Sequence, residues 1–239
     1  MYRTLYLLYG DTKSVTVWHT HYYAVMVRFA DVTSEAGRYV PFRGDGSRQL
    51  GLGREVLLVA HSYGGVPSSE GLQGLSKQER QAQGLAGGVV SMLFVSAHLP
   101  QKGKSAIESM NDCSPEEKES PSIIKTAPSE DPTALLPENP IEAFYHDLDP
   151  AVAKYYASLL RRQSVGPFLS QITHESYRQI PTSCLLLSND RAVSLARQKR
   201  VAKNAGIQQL LGPINCGHSP FLSHPEEVSK FIRQVAGET

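Results

Sequence analysis

The chain has 239 residues, 41% of them hydrophobic and 20% charged, with a formal net charge of +1 at pH 7. That length and balance suit a single domain with a full core, and they leave no basic footprint for a nucleic-acid partner. Cys113, Cys184 and Cys216 are odd in number and lack metal-type spacing, which points to a reduced, cytoplasmic setting, and no apolar stretch has membrane-spanning length.

Taken in order, Thr4 to Tyr9 reads as a strand closed by the turn pair Gly10-Asp11, and Ser14 to Trp18 alternates like a second strand. Tyr22 to Ala30 carries apolar residues without a clean period and is expected to form a short helix. The glycine-rich run from Arg38 to Gly53 is expected to be loop. Val56-Leu-Leu-Val59 is then a short apolar run, the pattern of a strand buried on both faces. It enters Ala60-His-Ser-Tyr-Gly64, whose small residues flank Ser62 at the two offsets a sharp strand-to-helix turn demands. Small residues continue to Ser69, as a closely packed helix requires, while Pro67 predicts a kink or a short first segment.

Gln78 to Gln83 is polar and solvated, and Val89 to Val95 is a further buried strand ending at Ser96-Ala-His98. Residues 101 to 140 are dominated by Lys, Glu, Ser and Pro and cannot bury enough apolar surface to order themselves, so a mobile insert is expected. Asp149-Pro150 opens a helix in its second half, with Val152, Tyr156, Leu159 and Leu160 as one apolar stripe. Ser183 to Leu187 reads as a strand ending in Ser188-Asn-Asp-Arg191, followed by a helix from Ser194 to Ala205 that Gly206 stops. The last strand lies within Ile207 to Ile214, and a final helix begins at His224-Pro225 with Val228, Phe231, Ile232 and Val235 facing inward. This alternation predicts an α/β fold, a mostly parallel doubly wound sheet with helices on both faces. Residues 1–100 and 181–239 form the core in this reading, and 101–180 a helical lid insert.

A serine hydroxyl needs an adjacent base to act as a nucleophile, and the base needs a third group to fix its tautomer. Ser62, Asp190 and His218 supply one of each, in the Ser…Asp…His order of elbow-type hydrolases, each following a strand. Asp147 and Asp149 are rivals for the acid but fall within the insert. His61 is expected to point into the sheet and pack, His98 to line the pocket or lie at the surface, and Cys216 to be a buried thiol.

Three segments, Val56 to Pro67, Leu185 to Ala192 and Cys216 to Val228, resemble the α/β-hydrolase superfamily, in its small esterase and hydroxynitrile-lyase-like branch. The resemblance covers about residues 53 to 237. It implies Ser62 as nucleophile, His218 as general base, Asp190 as orienting acid and the Tyr63 N–H as one oxyanion donor. Relatives place a Pro-Gly or His-Gly pair after their first central strand. Val15 to Thr20 aligns with it, but Thr16 replaces the glycine, leaving Val17 as the second candidate donor. The family also sets a strand and a helix between that loop and the elbow, and Trp18 to Ser62 reads as too short for both. Thr16, Trp18 and His98 are the candidate substrate contacts. The implied activity is cofactor-independent and metal-free hydrolysis of a small ester or lactone through an acyl-enzyme. Two alternatives stand beside it. A hydroxynitrile lyase is favoured by Thr16 but opposed by Ser219, where those lyases carry lysine. A ligand-binding homologue with a broken oxyanion hole is favoured by the short N-terminal part.

Overall fold

The computed structural model describes residues 7–9, 13–15, 23–27, 34–35, 38–39, 45–112, 134–135, 137, 139–160 and 163–238. In chain order, β1 (Leu7–Tyr9) and β2 (Lys13–Val15) pair as a small antiparallel ribbon, β3 spans Tyr23–Val27, and β4 (Ser34–Glu35) pairs with β5 (Arg38–Tyr39). Helix α1 (Asp45–Gly51) precedes β6 (Glu55–His61), and a 3-10 turn at Ser62–Gly64 leads into α2 (Gly65–Glu70). Next come α3 (Lys77–Ala82), β7 (Gly88–Val95) and α4 (Ala106–Asn111). The segment predicted as an insert continues with β8 (Ala134–Leu135), α5 (Pro140–Phe144), α6 (Pro150–Ser158), β9 (Gln163–Ser164) and α7 (Gly166–Leu169). The chain then forms β10 (Thr182–Leu187), α8 (Leu195–Ala205), β11 (Gln209–Ile214), α9 (Pro220–Ser223) and α10 (Pro225–Val235).

Among the described residues the central sheet has five strands in the order β11-β10-β7-β6-β3, every pair parallel. Its period-2 alternation sorts apolar side chains to two faces. Leu58 and Ala60 of β6, Met92 and Phe94 of β7, and Cys184 and Leu186 of β10 pack with Val201, Ala202 and Ala205 of α8. Leu57 and Val59, Leu93 and Val95, and Leu185 and Leu187 pack on the opposite face with Phe221, Val228 and Ile232 from α9 and α10. Helices therefore cover both faces, as the alternation predicted. Among the described residues no helix is long and apolar enough to cross a membrane.

Two expectations about the first fifty residues are corrected. Tyr22 to Ala30 is not a helix: Tyr23–Val27 is a sheet strand whose register runs from Tyr23 opposite Val56 to Val27 opposite Ala60. A short apolar run cannot be told from a buried helix by periodicity alone, and here the parallel pairing with β6 decides for the strand. Nor is Arg38 to Gly53 all loop, since it holds α1. Burial of Leu50 (3% exposed) and Gln49 (6%) stabilises that helix despite its glycines. The interval from Trp18 to Ser62 thus accommodates both a strand and a helix, contrary to the reading that it is too short.

Elsewhere local chemistry forecast the elements well. Asp149 caps α6 by accepting from the N–H groups of Ala151 and Val152, with Pro150 at the first helical position. Ser194 caps α8, and Gly206 closes it with φ of 75°, a left-handed conformation that suits glycine. Pro67 sits in the first turn of α2 behind the 3-10 turn, the short first segment its ring required. The apolar stripe on α6 is corrected: Val152 is 41% exposed while Ala153 is 2% exposed, so the helix seats on its small residue.

Candidate active site

β6 and β7 end level with each other, His61 lying opposite Val95, and each is followed by a serine in a strained conformation. Ser62 has φ of 54° and Ser96 φ of 42°, the left-handed region that residues with a β-carbon seldom occupy. The His98 N–H donates to the Ser62 carbonyl at 3.0 Å, so the two strand ends are stitched together. Gly65 completes the turn, because a β-carbon there would lie 2.3 Å from the His98 carbonyl oxygen. A close backbone approach thus constrains the elbow at Gly65, one residue beyond the offset the sequence pattern emphasised.

The turn after β11 brings His218 over Ser62. His218 is 2% exposed, and its ring lies 2.9 Å through Nε2 from Ser62 Oγ and 2.8 Å through Nδ1 from Asp190 Oδ2. An ionised carboxylate only accepts, so Nδ1 carries the proton, and Nε2 is left bare to accept from the serine hydroxyl. Asp190, in the turn after β10, is 7% exposed and saturated with donors. Its Oδ2 also accepts from Ser96 Oγ at 2.6 Å, and its Oδ1 accepts from the N–H groups of Ala192 (2.8 Å) and Val193 (2.9 Å). Burial opposes ionisation here. The neighbouring His218 and the hydrogen bonds from His218, Ser96 and Val193 outweigh it and hold the carboxyl below the usual range.

Three of the sequence candidates, Ser62, Asp190 and His218, are thus joined in one hydrogen-bonded chain. Tyr63, 3% exposed, stacks on Phe168 with ring centroids 4.2 Å apart and packs with Val66, Ala106 and Ile172. His98 is 6% exposed, and burial together with the His218 charge pushes its pKa down to about 4. Thr16, Val17 and Trp18 lie outside the described residues. The strand just before them, β2, belongs to the separate ribbon with β1, whereas the sheet neighbour of β6 is β3. The rivals of Asp190 are occupied elsewhere: Asp149 caps α6, and Asp147 Oδ2 accepts the Gly217 N–H at 2.7 Å.

Sequence reasoning missed several residues around this chain. Ser96 escaped notice although it follows a strand just as Ser62 does. His61 does not merely pack, because its Nε2 lies 2.7 Å from the His218 carbonyl oxygen. From the segment 101–180, Phe144 stacks 5.4 Å from the His218 ring. No spacing rule reports such contacts, since each joins distant parts of the chain. Among the described residues one grouping has cation-type donors: one ligand atom each from Asp147, Cys216 and His224, all within 4.8 Å of one another. Cys216 is buried and free, and burial first, then the Asp147 carboxylate, pushes its thiol up to about 12.

The profile of the alpha/beta hydrolase family matches residues 12–231. The alpha/beta hydrolase nvfD of Aspergillus novofumigatus (strain IBT 16806) is 31% identical over 187 residues, covering 78% of this chain and 72% of the relative. Among solved structures, polyneuridine aldehyde esterase superposes with a TM-score of 0.57 at 18% identity, over 76% of this chain and 72% of its own. The pyrethroid hydrolase PytH also gives 0.57 at 18% identity, over 77% and 71%.

Proposed function

The chain belongs to the alpha/beta hydrolase family, and from that premise we propose that it is a serine hydrolase cleaving a small carboxylic ester or lactone through an acyl-enzyme. The observation that carries this reading is the unbroken chain Ser62 Oγ to His218 Nε2 (2.9 Å) and His218 Nδ1 to Asp190 Oδ2 (2.8 Å). Ser62 Oγ attacks the carbonyl carbon while its proton passes to His218 Nε2, and Asp190 stabilises the imidazolium. Collapse of the tetrahedral adduct expels the alcohol, which takes that proton. Water activated by His218 then releases the acid and returns Ser62 to its starting state. The Tyr63 N–H at the start of the 3-10 turn is assigned as one oxyanion donor. Residues 101–180 act as the lid and bring Phe144 and Phe168 to the site, aromatic faces suited to a small apolar acyl or alcohol group. The free, buried thiols of Cys184 and Cys216 suit a reducing, cytoplasmic compartment.

The test is hydrolysis of a short activated aryl ester by the purified protein. Ser62→Ala is expected to lower the rate by about ten-thousandfold or more, and a fluorophosphonate should label Ser62 alone. Parental turnover in Ser62→Ala would overturn the assignment. Cyanide release from a cyanohydrin, without ester cleavage, would replace it with the lyase.

A further inference from the structure

We propose that His61 is a positioning residue that ties the turn bearing the general base to the strand bearing the nucleophile. This rests on the assignment of Ser62 and His218 made above. His61 is the last residue of β6 and the covalent neighbour of Ser62. Its Nε2 lies 2.7 Å from the backbone carbonyl oxygen of His218, 157 positions away. A carbonyl oxygen only accepts, so Nε2 carries the ring proton. The ring lies 4.6 Å from the His218 ring and 4.9 Å edge-on from Phe221. One end of the residue is thus bonded to Ser62, and the other holds the main chain of His218. Beside the Asp190 bond to the His218 ring and the Asp147 bond to the Gly217 N–H, the imidazole is thus a direct tie between the main chains that carry base and nucleophile.

The surroundings keep this ring in the one form that does the job. The ionisable groups acting on it are His218, Asp190 and His98. Burial is the largest influence, followed by the positive charge on His218, and together they push the His61 pKa down to about 3. The ring therefore stays neutral near pH 7. Neutrality serves the reaction as well, because a charged ring this close would oppose the imidazolium that forms on His218. A neutral histidine with Nε2–H pointing at the carbonyl holds the base in place without competing for its proton.

His61→Phe keeps a ring and removes the donor, whereas His61→Gln keeps an uncharged side-chain N–H. His61→Phe is expected to lower kcat on an activated ester about tenfold to a hundredfold with KM within about twofold, the signature of a misplaced reacting group. His61→Gln should recover most of that loss. Equal kcat in both folded variants and the parent, or an equal loss in both, overturns the proposal. Nitrogen-15 NMR of the parent's histidines reads the contact without any variant. The His61 ring should show Nε2 protonated, Nδ1 bare, and no titration between about pH 5 and 8. Titration near pH 6.5, or the opposite tautomer, overturns the proposal even if the variants fail to fold. If the parent neither hydrolyses esters nor takes up fluorophosphonate at Ser62, the nucleophile assignment fails instead, and the tautomer measurement still decides the contact.

Discussion

Ser96 and Ser62 share an unusual backbone conformation, and the strain at Ser96 places its hydroxyl on the carboxylate that holds His218. Strain of this kind costs about 1–3 kcal/mol and persists only where the surroundings impose it. Ser96→Ala retains the strain and deletes the hydroxyl, and Ser96→Gly relieves the strain and deletes it too. Both are expected to lower kcat about tenfold, equivalent to about 1.4 kcal/mol. A glycine variant that turns over substrate at the parental rate would remove Ser96 from the machinery. The buried histidines make a second prediction at this scale. Folded pKa values of about 3 for His61 and about 4 for His98 lie below the ordinary value of 6.5. Below pH 6.5 the unfolded chain binds protons that the folded chain refuses, so their contribution is full above that pH and is lost as pH falls towards 4. Each histidine should destabilise the fold by about 1.4 kcal/mol per pH unit in that window. Thermal midpoints recorded from pH 7 to pH 4.5 should fall steeply, and His98→Asn should flatten the slope. A slope unchanged by that substitution would contradict the assignment of His98 as a neutral buried ring.

At the scale of elements, the Ser62 turn depends on how closely α2 approaches the end of β7. The β-carbon introduced by Gly65→Ala would meet the His98 carbonyl oxygen at 2.3 Å and the Ala97 side chain at 3.0 Å. Because the nearest obstacle is backbone, relief requires the helix or the strand end to move. The expected destabilisation is about 1–3 kcal/mol or more, seen as a lower thermal midpoint. Ester hydrolysis should fall with it, since the His98 N–H that moves is bonded to the Ser62 carbonyl. A variant as stable and active as the parent would show that the turn yields at no cost. The same reasoning explains which helix readings held. Caps such as Asp149 and Ser194 act within one turn and can be recognised from adjacent residues. The buried face of α6 depends on what lies opposite, and there Ala153 displaced Val152.

At the scale of the molecule, two carboxylates bond across between residues of the segment 101–180 and the rest of the fold. The Glu70 carboxylate, at the end of α2, accepts from Thr173 N–H (2.5 Å), Thr173 Oγ1 (2.6 Å) and His174 N–H (2.9 Å). Asp147 grips the Gly217 N–H beside His218. Glu70→Ala should release the first clamp, costing about 1–3 kcal/mol and speeding hydrogen exchange at the amides of Thr173 and His174. Unchanged exchange at both amides would show that other contacts hold the segment. What the sequence determined by itself is whatever short-range chemistry controls. Apolar runs alternating with capped helices dictated a doubly wound sheet, and Ser62, Asp190 and His218 each follow a strand in the order an acyl-transfer site uses. Tertiary structure alone decided that Tyr23–Val27 flanks β6, that Ser96 bonds Asp190 across 94 positions, and that His61 reaches the His218 carbonyl across 157. A short apolar run without a clear period does not tell strand from helix or name its sheet neighbour, and a contact between distant residues exists only once the sheet has brought their strand ends together.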